Sequence, residues 1–180
     1  MDMSKGALPM RYLGVPLSSK NLTTEDYSVL ISRVCSKIDS WQTRHLSMGG
    51  RAELIRSSIF GIQNFWCANL RLPKYVTEEV ERRIRSFLWS GKGEGLYRAK
   101  ISWTTACLPL SEGGLGFKRM EDWNQVCLCK MLWNIASKKE TLWEKWVHTV
   151  RLKGVSIWRY KKSDRDPWFW NKMSKVRSLI

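Results

Sequence analysis

The stretch LSMGGRAELIRSSI, residues 46–59, places two glycines and an arginine where an apolar pattern of helical period begins. Ala52, Leu54, Ile55, Ile59, Ile62 and Phe65 or Trp66 continue the stripe, which predicts a helix from Ser47 to about residue 66. Glycine inside a helix is ~1 kcal/mol less favourable than alanine. Gly49 and Gly50, directly before Arg51, therefore need a reason. Residue chemistry offers two. In the first, the unpaired amides and partial positive charge of a helix N-terminus face a phosphate, which approaches closely because glycine has no Cβ. Arg51 then adds a bidentate cation, with Arg44 and Arg56 within about a turn. In the second, the glycines let the helix pack tightly against the turn at Trp41, and Arg51 pairs with Glu53 or a distant acid.

Upstream, Thr23 or Thr24 can cap a helix over about 24–41, with Glu25 and Asp26 in its first turn and Tyr27, Leu30, Ile31, Val34, Ile38 and Trp41 at helical spacing. Before it, RYLGVPL reads as a short strand ended by Gly14 and Pro16. Downstream, RLPKYVTEEVERRIRSFLWSG reads as a helix capped by Thr77, with Val80, Ile84, Phe87 and Leu88 on one face and Gly91 as its stop. Arg82, Arg83 and Arg85 project from its other sides. Residues 91–118 hold six of the twelve glycines around the short extended piece ISW, which predicts loop, strand-like segment and turn. Helical spacing returns in EDWNQVCLCKMLWNIA and ETLWEKWVHTV, and Asp166 with Pro167 can open a last helix.

The expected fold is mainly α. It is a helical bundle with a short N-terminal strand and a Gly-rich central loop leading to a second helical region. The boundaries are 1–20, 21–92, 93–118 and 119–180.

With 43% apolar residues and eleven tryptophans among 180, the composition is not that of a disordered chain. Lys and Arg number 31 against 16 acidic residues, a net +15, which favours a polyanionic partner. Residues 150–180 carry nine Lys/Arg and two Asp, the most cationic part. There, Trp158, Tyr160, Trp168 and Trp170 interleave with Arg159, Lys161, Lys162 and Lys172, a pattern suited to base stacking plus backbone charge, or simply to a core. No run reaches the ~18 apolar residues of a membrane span, and no secretory h-region follows the N-terminus. The basic residues are spread over several helices, which disfavours a membrane-surface role. Five cysteines, an odd number, are expected as reduced thiols in the nucleus or cytoplasm.

Catalytic chemistry is hard to find. The acidic pairs Glu25-Asp26, Glu78-Glu79 and Glu121-Asp122 all sit at predicted helix starts, where the dipole accounts for them. His45 and His148 have no metal-binding partner at close spacing, and Cys127 and Cys129 point to different sides of one helix. GKGEG lacks the Lys-Ser/Thr of a phosphate loop. No metal, no cofactor and no catalytic residue is expected.

In order along the chain, LPMRYLGVPLSSKNLT, Trp41, LSMGGRAELIRSSI, FLWSG, AKISW, EGGLGF and LWEKWVHT resemble the plant type of LINE (non-LTR) retrotransposon reverse transcriptase, over about residues 7–177. Each motif alone is weak; their order and spacing carry the resemblance. It implies that YLGVPL is a palm segment near the primer grip and that LSMGGR starts a thumb helix, in a region that holds the primer–template duplex. Gly50 and Arg51 match the family's small-residue-Gly-Arg helix start, with Gly49 in place of the more usual alanine. This favours the phosphate reading. The Tyr-x-Asp-Asp polymerase motif is absent, and the chain has no Asp-Asp pair. The endonuclease and the Cys/His module of such elements are also missing.

The expectation is therefore a nucleic-acid-binding thumb and connection fragment of an RNA-directed DNA polymerase, not an enzyme by itself. It would contact an RNA–DNA hybrid or duplex without sequence preference through Arg44, Gly49, Gly50, Arg51, Arg56, Arg82, Arg83, Arg85, Arg159, Lys161 and Lys162. The missing palm and fingers would be a further partner. A helical protein-interaction module and a translated transposon remnant without a role are the alternatives.

Overall fold

The computed structural model describes residues 10–12, 15–17, 22–42, 45–94, 98–161, 166, 170, 173 and 176–177. The chain is mainly helical. At the N-terminus, β1 (Met10–Tyr12) and β2 (Val15–Leu17) pair antiparallel, with Met10 opposite Leu17 and Tyr12 opposite Val15. The single strand expected from RYLGVPL is thus a hairpin. Pro16 stands within β2 because a two-stranded ribbon leaves each strand an outer edge that needs no donor.

Helix α1 (Thr24–Gln42) begins where the sequence placed it. The Thr23 amide and hydroxyl both donate to Asp26 Oδ2, at 2.7 and 3.1 Å, so an acidic residue in the first turn closes the N-terminus. The helical run predicted from Ser47 extends unbroken to Asn69. It comprises α2 (Met48–Leu54), a π-helical segment (Ile55–Ile59) and α3 (Phe60–Asn69).

Helix α4 (Lys74–Ser90) starts a turn earlier than expected. Thr77 is no cap: it is 3% exposed, and its hydroxyl donates to Lys74 O at 2.8 Å inside the first turn. Gly91 does end the helix, at φ 78° in the left-handed region, with its amide on Phe87 O at 2.9 Å. ISW is not strand-like either. Ser102 accepts from the Thr105 amide at 3.0 Å and caps the short helix α5 (Trp103–Ala106). A 3-10 turn (Leu110–Glu112) leads to α6 (Met120–Ala136), then α7 (Leu142–Trp146), which continues into a second π segment (Val147–Leu152). The proposed cap pair at the last helix lies partly outside the described residues, since Pro167 is not among them; Asp166 Oδ1 accepts from Tyr160 Oη at 2.8 Å.

Two apolar clusters hold these elements. In the first, Tyr27, Leu30, Val34, Ile38 and Trp41 of α1 face Val76, Val80, Ile84 and Phe87 of α4, with Trp41 and Phe87 rings 5.6 Å apart. Ile55, Ile59, Trp66 and Cys67 close the cluster from the α2–α3 run. Met120 at the start of α6 belongs to it, whereas Leu132 and Ile135 at the other end of α6 belong to the second cluster with Val147, Leu152, Ile157, Trp170 and Met173. Helix α6 thus carries one core into the other.

A buried polar side chain on α6 ties it to the end of α3. Buried Asn124 donates to Cys67 O at 2.9 Å and Leu70 O at 2.7 Å, and accepts from the Leu72 amide at 2.9 Å. It satisfies carbonyls that the C-terminus of α3 leaves without helical partners.

The EGGLGF segment owes its glycines to backbone geometry. Gly113 adopts φ 79°, and a Cβ on Gly114 would stand 2.0 Å from Leu108 O. The tight loop places Leu115 N on Ala106 O at 2.9 Å and sets Phe117 against Phe60 and Trp103.

Candidate nucleic-acid interface

The residues singled out by sequence do not form one bare cationic face. At the start of α2, Ser47 Oγ accepts from the Gly50 amide at 3.2 Å, so one of the donors offered to a phosphate is already taken as a cap. Packing among the described residues does not explain the glycines. Among the described residues, a Cβ on Gly49 would meet nothing closer than Ser47 Oγ at 3.9 Å, and one on Gly50 nothing closer than 3.6 Å. Both are ordinary contact distances; the turn after Trp41, residues 43–44, lies outside the described residues.

Arg51 pairs with neither Glu53 nor another acid among the described residues. Its guanidinium folds back onto Gly91, with Nη1 2.9 Å from the position of a Cβ on that glycine, and its buried Nε has no hydrogen-bond partner.

Arg56 is held by the fold. It donates to Leu115 O at 2.6 Å, bridges to Glu53 at 3.2 Å and lies over the Phe117 ring at 5.5 Å. The α4 arginines have partners too. Glu79 takes Arg82 at 2.7 Å and Arg83 at 2.7 Å, the i+3 and i+4 neighbours on one helix face, and Arg83 also bonds Glu94. The Arg82 hydrogen bonds, reinforced by Arg83, hold the Glu79 carboxyl down from 4.5 to about 2. Arg85 lies over Trp103 at 5.9 Å with its Nε buried and unpartnered.

An open groove of about 600 Å³ beside α4 is lined by Lys74, Arg82, Arg85 and Arg119 but equally by Glu78, Glu79, Glu81 and Glu121. Four cations against four carboxylates leave it without the net positive field a phosphate chain requires. Burial raises the Glu81 pKa, and its Oε1 accepts from the Met120 amide at 2.7 Å, so this acid of α4 caps α6.

In the C-terminal region Arg159 and Lys161 are exposed, as is Trp158. Trp170 is buried and meets Tyr160 edge-on at 5.6 Å, so these two aromatic residues serve the second core and not a stacking surface. Arg44, Lys162, Trp168 and Lys172 lie outside the described residues.

Besides Trp158 and the exposed Trp133 of α6, an exposed aromatic pair lies on α7, where Trp143 and Trp146 stack at 5.6 Å with 19° between their planes. Their spacing of three on a helix beside Lys139 and Lys145 was the available signal. Among the described residues no group of three His, Cys, Asp or Glu could hold a metal, and no helix is long and apolar enough to cross a membrane.

A curated Arabidopsis thaliana protein, described as "Putative ribonuclease H protein", is 25% identical to this chain over 129 residues. The match covers 72% of this chain and 21% of that protein, so the chain corresponds to about a fifth of its relative's length. No family model and no solved structure matches the chain.

Proposed function

We propose that this chain is a transposon-derived thumb and connection fragment of a reverse transcriptase. It grips a nucleic-acid duplex through phosphates without reading sequence and does not polymerise alone. The single observation that carries the reading is Gly50. It stands at the third position of a long helical run, where the described residues leave room for a Cβ, so no packing among them requires a glycine and the open space beside it can admit a ligand. A phosphate at a helix N-terminus is the ligand whose close approach a missing Cβ permits. The net charge of +15 supports it, as do the ordered reverse-transcriptase motifs and the similarity to a plant protein described as a ribonuclease H protein.

Two substitutions test it against an RNA–DNA hybrid. Gly49→Ala restores the usual family residue; it is expected to keep binding and to raise helix stability by up to ~1 kcal/mol. Gly50→Ala is expected to fold equally well and to bind the hybrid at least several-fold more weakly. Unchanged affinity for Gly50→Ala would remove the reading's main support.

A further inference from the structure

Tryptophan normally buries most of its large surface, yet Trp143 and Trp146 remain 40% and 43% exposed. The helix beneath them is anchored: Glu144 between them is 4% exposed and Val147 is fully buried. The two indoles are therefore held outward on a fixed support, nearly parallel.

The chain then widens into the π segment Val147–Leu152. In an α-helix, at 3.6 residues per turn, position i+5 lies ~140° around the axis from i. The i→i+5 bonding of a π turn brings it back almost overhead. Arg151 accordingly reaches Trp146, its guanidinium carbon 5.7 Å from the ring centroid. Two indole planes and one guanidinium are thus contiguous on an exposed surface.

The charge around them is one-sided. Residues 138–161 contain seven Lys/Arg against Glu140 and the buried Glu144. Among the described residues no carboxylate pairs with Lys139, Lys145 or Arg151.

We propose that Trp143, Trp146 and Arg151 form a stacking platform for the unpaired bases of single-stranded nucleic acid. The platform rests on the reading above only in that this chain meets nucleic acid. A polyanion satisfies the surrounding cations, and an unpaired strand offers base faces to the indoles along its length, whereas a duplex hides all but its end faces in its own stack. The site would take the single strand that enters or leaves the duplex held by the thumb-like helices.

The test uses the full chain and three labelled ligands, a dT 15-mer, an rU 15-mer and a blunt RNA–DNA hybrid, read by anisotropy. Trp143→Ala and Trp146→Ala are each expected to weaken 15-mer binding about ten-fold, as loss of one base–aromatic stack does. Hybrid affinity should change less than about two-fold, and Trp143→Phe should recover most of the loss. Circular dichroism should be unchanged; because more than half of each indole is covered, Tm should fall modestly with alanine and less with Trp143→Phe.

Equal losses on all ligands, no loss on the 15-mers, or a change confined to self-association in sedimentation would overturn the platform. Wild-type binding to the 15-mers without the hybrid would overturn the duplex reading and leave the platform standing. Binding to the hybrid alone would overturn only the platform, and binding to neither would overturn both.

Discussion

The Arg51 guanidinium rests on Gly91, with Nη1 2.9 Å from where a Cβ on that glycine would stand. Gly91 closes α4, so the cation sits where the last carbonyls of that helix concentrate partial negative charge. Two segments that are far apart in sequence, the GGR helix start and the FLWSG helix end, are thereby in contact. Gly91→Ala must place a side chain at φ 78° and displace Arg51; the left-handed conformation alone costs roughly 1–2 kcal/mol. In an Arg51→Ala background the displacement disappears, so the same change should cost measurably less. Equal costs in the two backgrounds, from denaturant unfolding, would show that the contact carries no energy.

Asn124 is the buried polar residue with the most hydrogen bonds at the α3–α6 junction, which Trp123 and Asn64 also bridge at 2.8 Å. Asn124→Ala leaves the Leu72 amide and the Cys67 and Leu70 carbonyls buried without their side-chain partner. At 1–3 kcal/mol for each unsatisfied group, partly offset by relaxation, the expected loss is about 3 kcal/mol. Chemical denaturation measures it, and a loss below ~1 kcal/mol would mean that water replaces the side chain.

The Glu79 carboxyl, held at about 2 by Arg82 and Arg83, makes a signed prediction. A depressed carboxylate pKa means that the unfolded chain takes up the proton first, so the stabilisation is complete above about 4.5 and is lost as pH falls toward about 2. Glu79→Gln removes the titrating group, and its stability should fall less steeply through that window than that of the wild type. Parallel curves from pH-dependent thermal unfolding would contradict the assignment.

Burial pushes the Cys67 thiol up to about 12 and Cys107 to about 11. Thiolate is the reactive form, so Cys67 should resist alkylation at pH 8 in the folded protein and react on unfolding. Mass spectrometry of labelled peptides reads this directly. Rapid native labelling of Cys67 would mean that the α3–α6 junction opens.

The long helices were legible because their apolar stripes are long. Leu30, Val34, Ile38 and Trp41 in α1, and Ile55, Ile59 and Trp66 in the α2–α3 run, are buried as their period predicted. What escaped depends on distant partners or on short elements. The hairpin strands have three residues each, too few to show a period. Thr77 resembles a cap in sequence, but its burial among α4's first-turn neighbours is a tertiary fact. Asn124 is a single polar residue in an apolar helix whose three partners lie more than fifty residues away. Neither π segment has a marker in the local pattern. The pairing of Arg82 and Arg83 was readable, since Glu79 precedes them by three and four residues, the spacing at which helix side chains meet. Arg56 was not, because Leu115 and Phe117 reach it only through the fold of the Gly-rich loop.

The most direct test of the central claim is the affinity of the purified chain for an RNA–DNA primer–template across a salt series. Each neutralised phosphate contributes ~0.7–0.9 to the slope of log affinity against log salt. A phosphate-gripping fragment should give a slope steeper than about −3 that is insensitive to sequence and falls by about 1 on Gly50→Ala. Weak binding that does not change with salt would contradict the account.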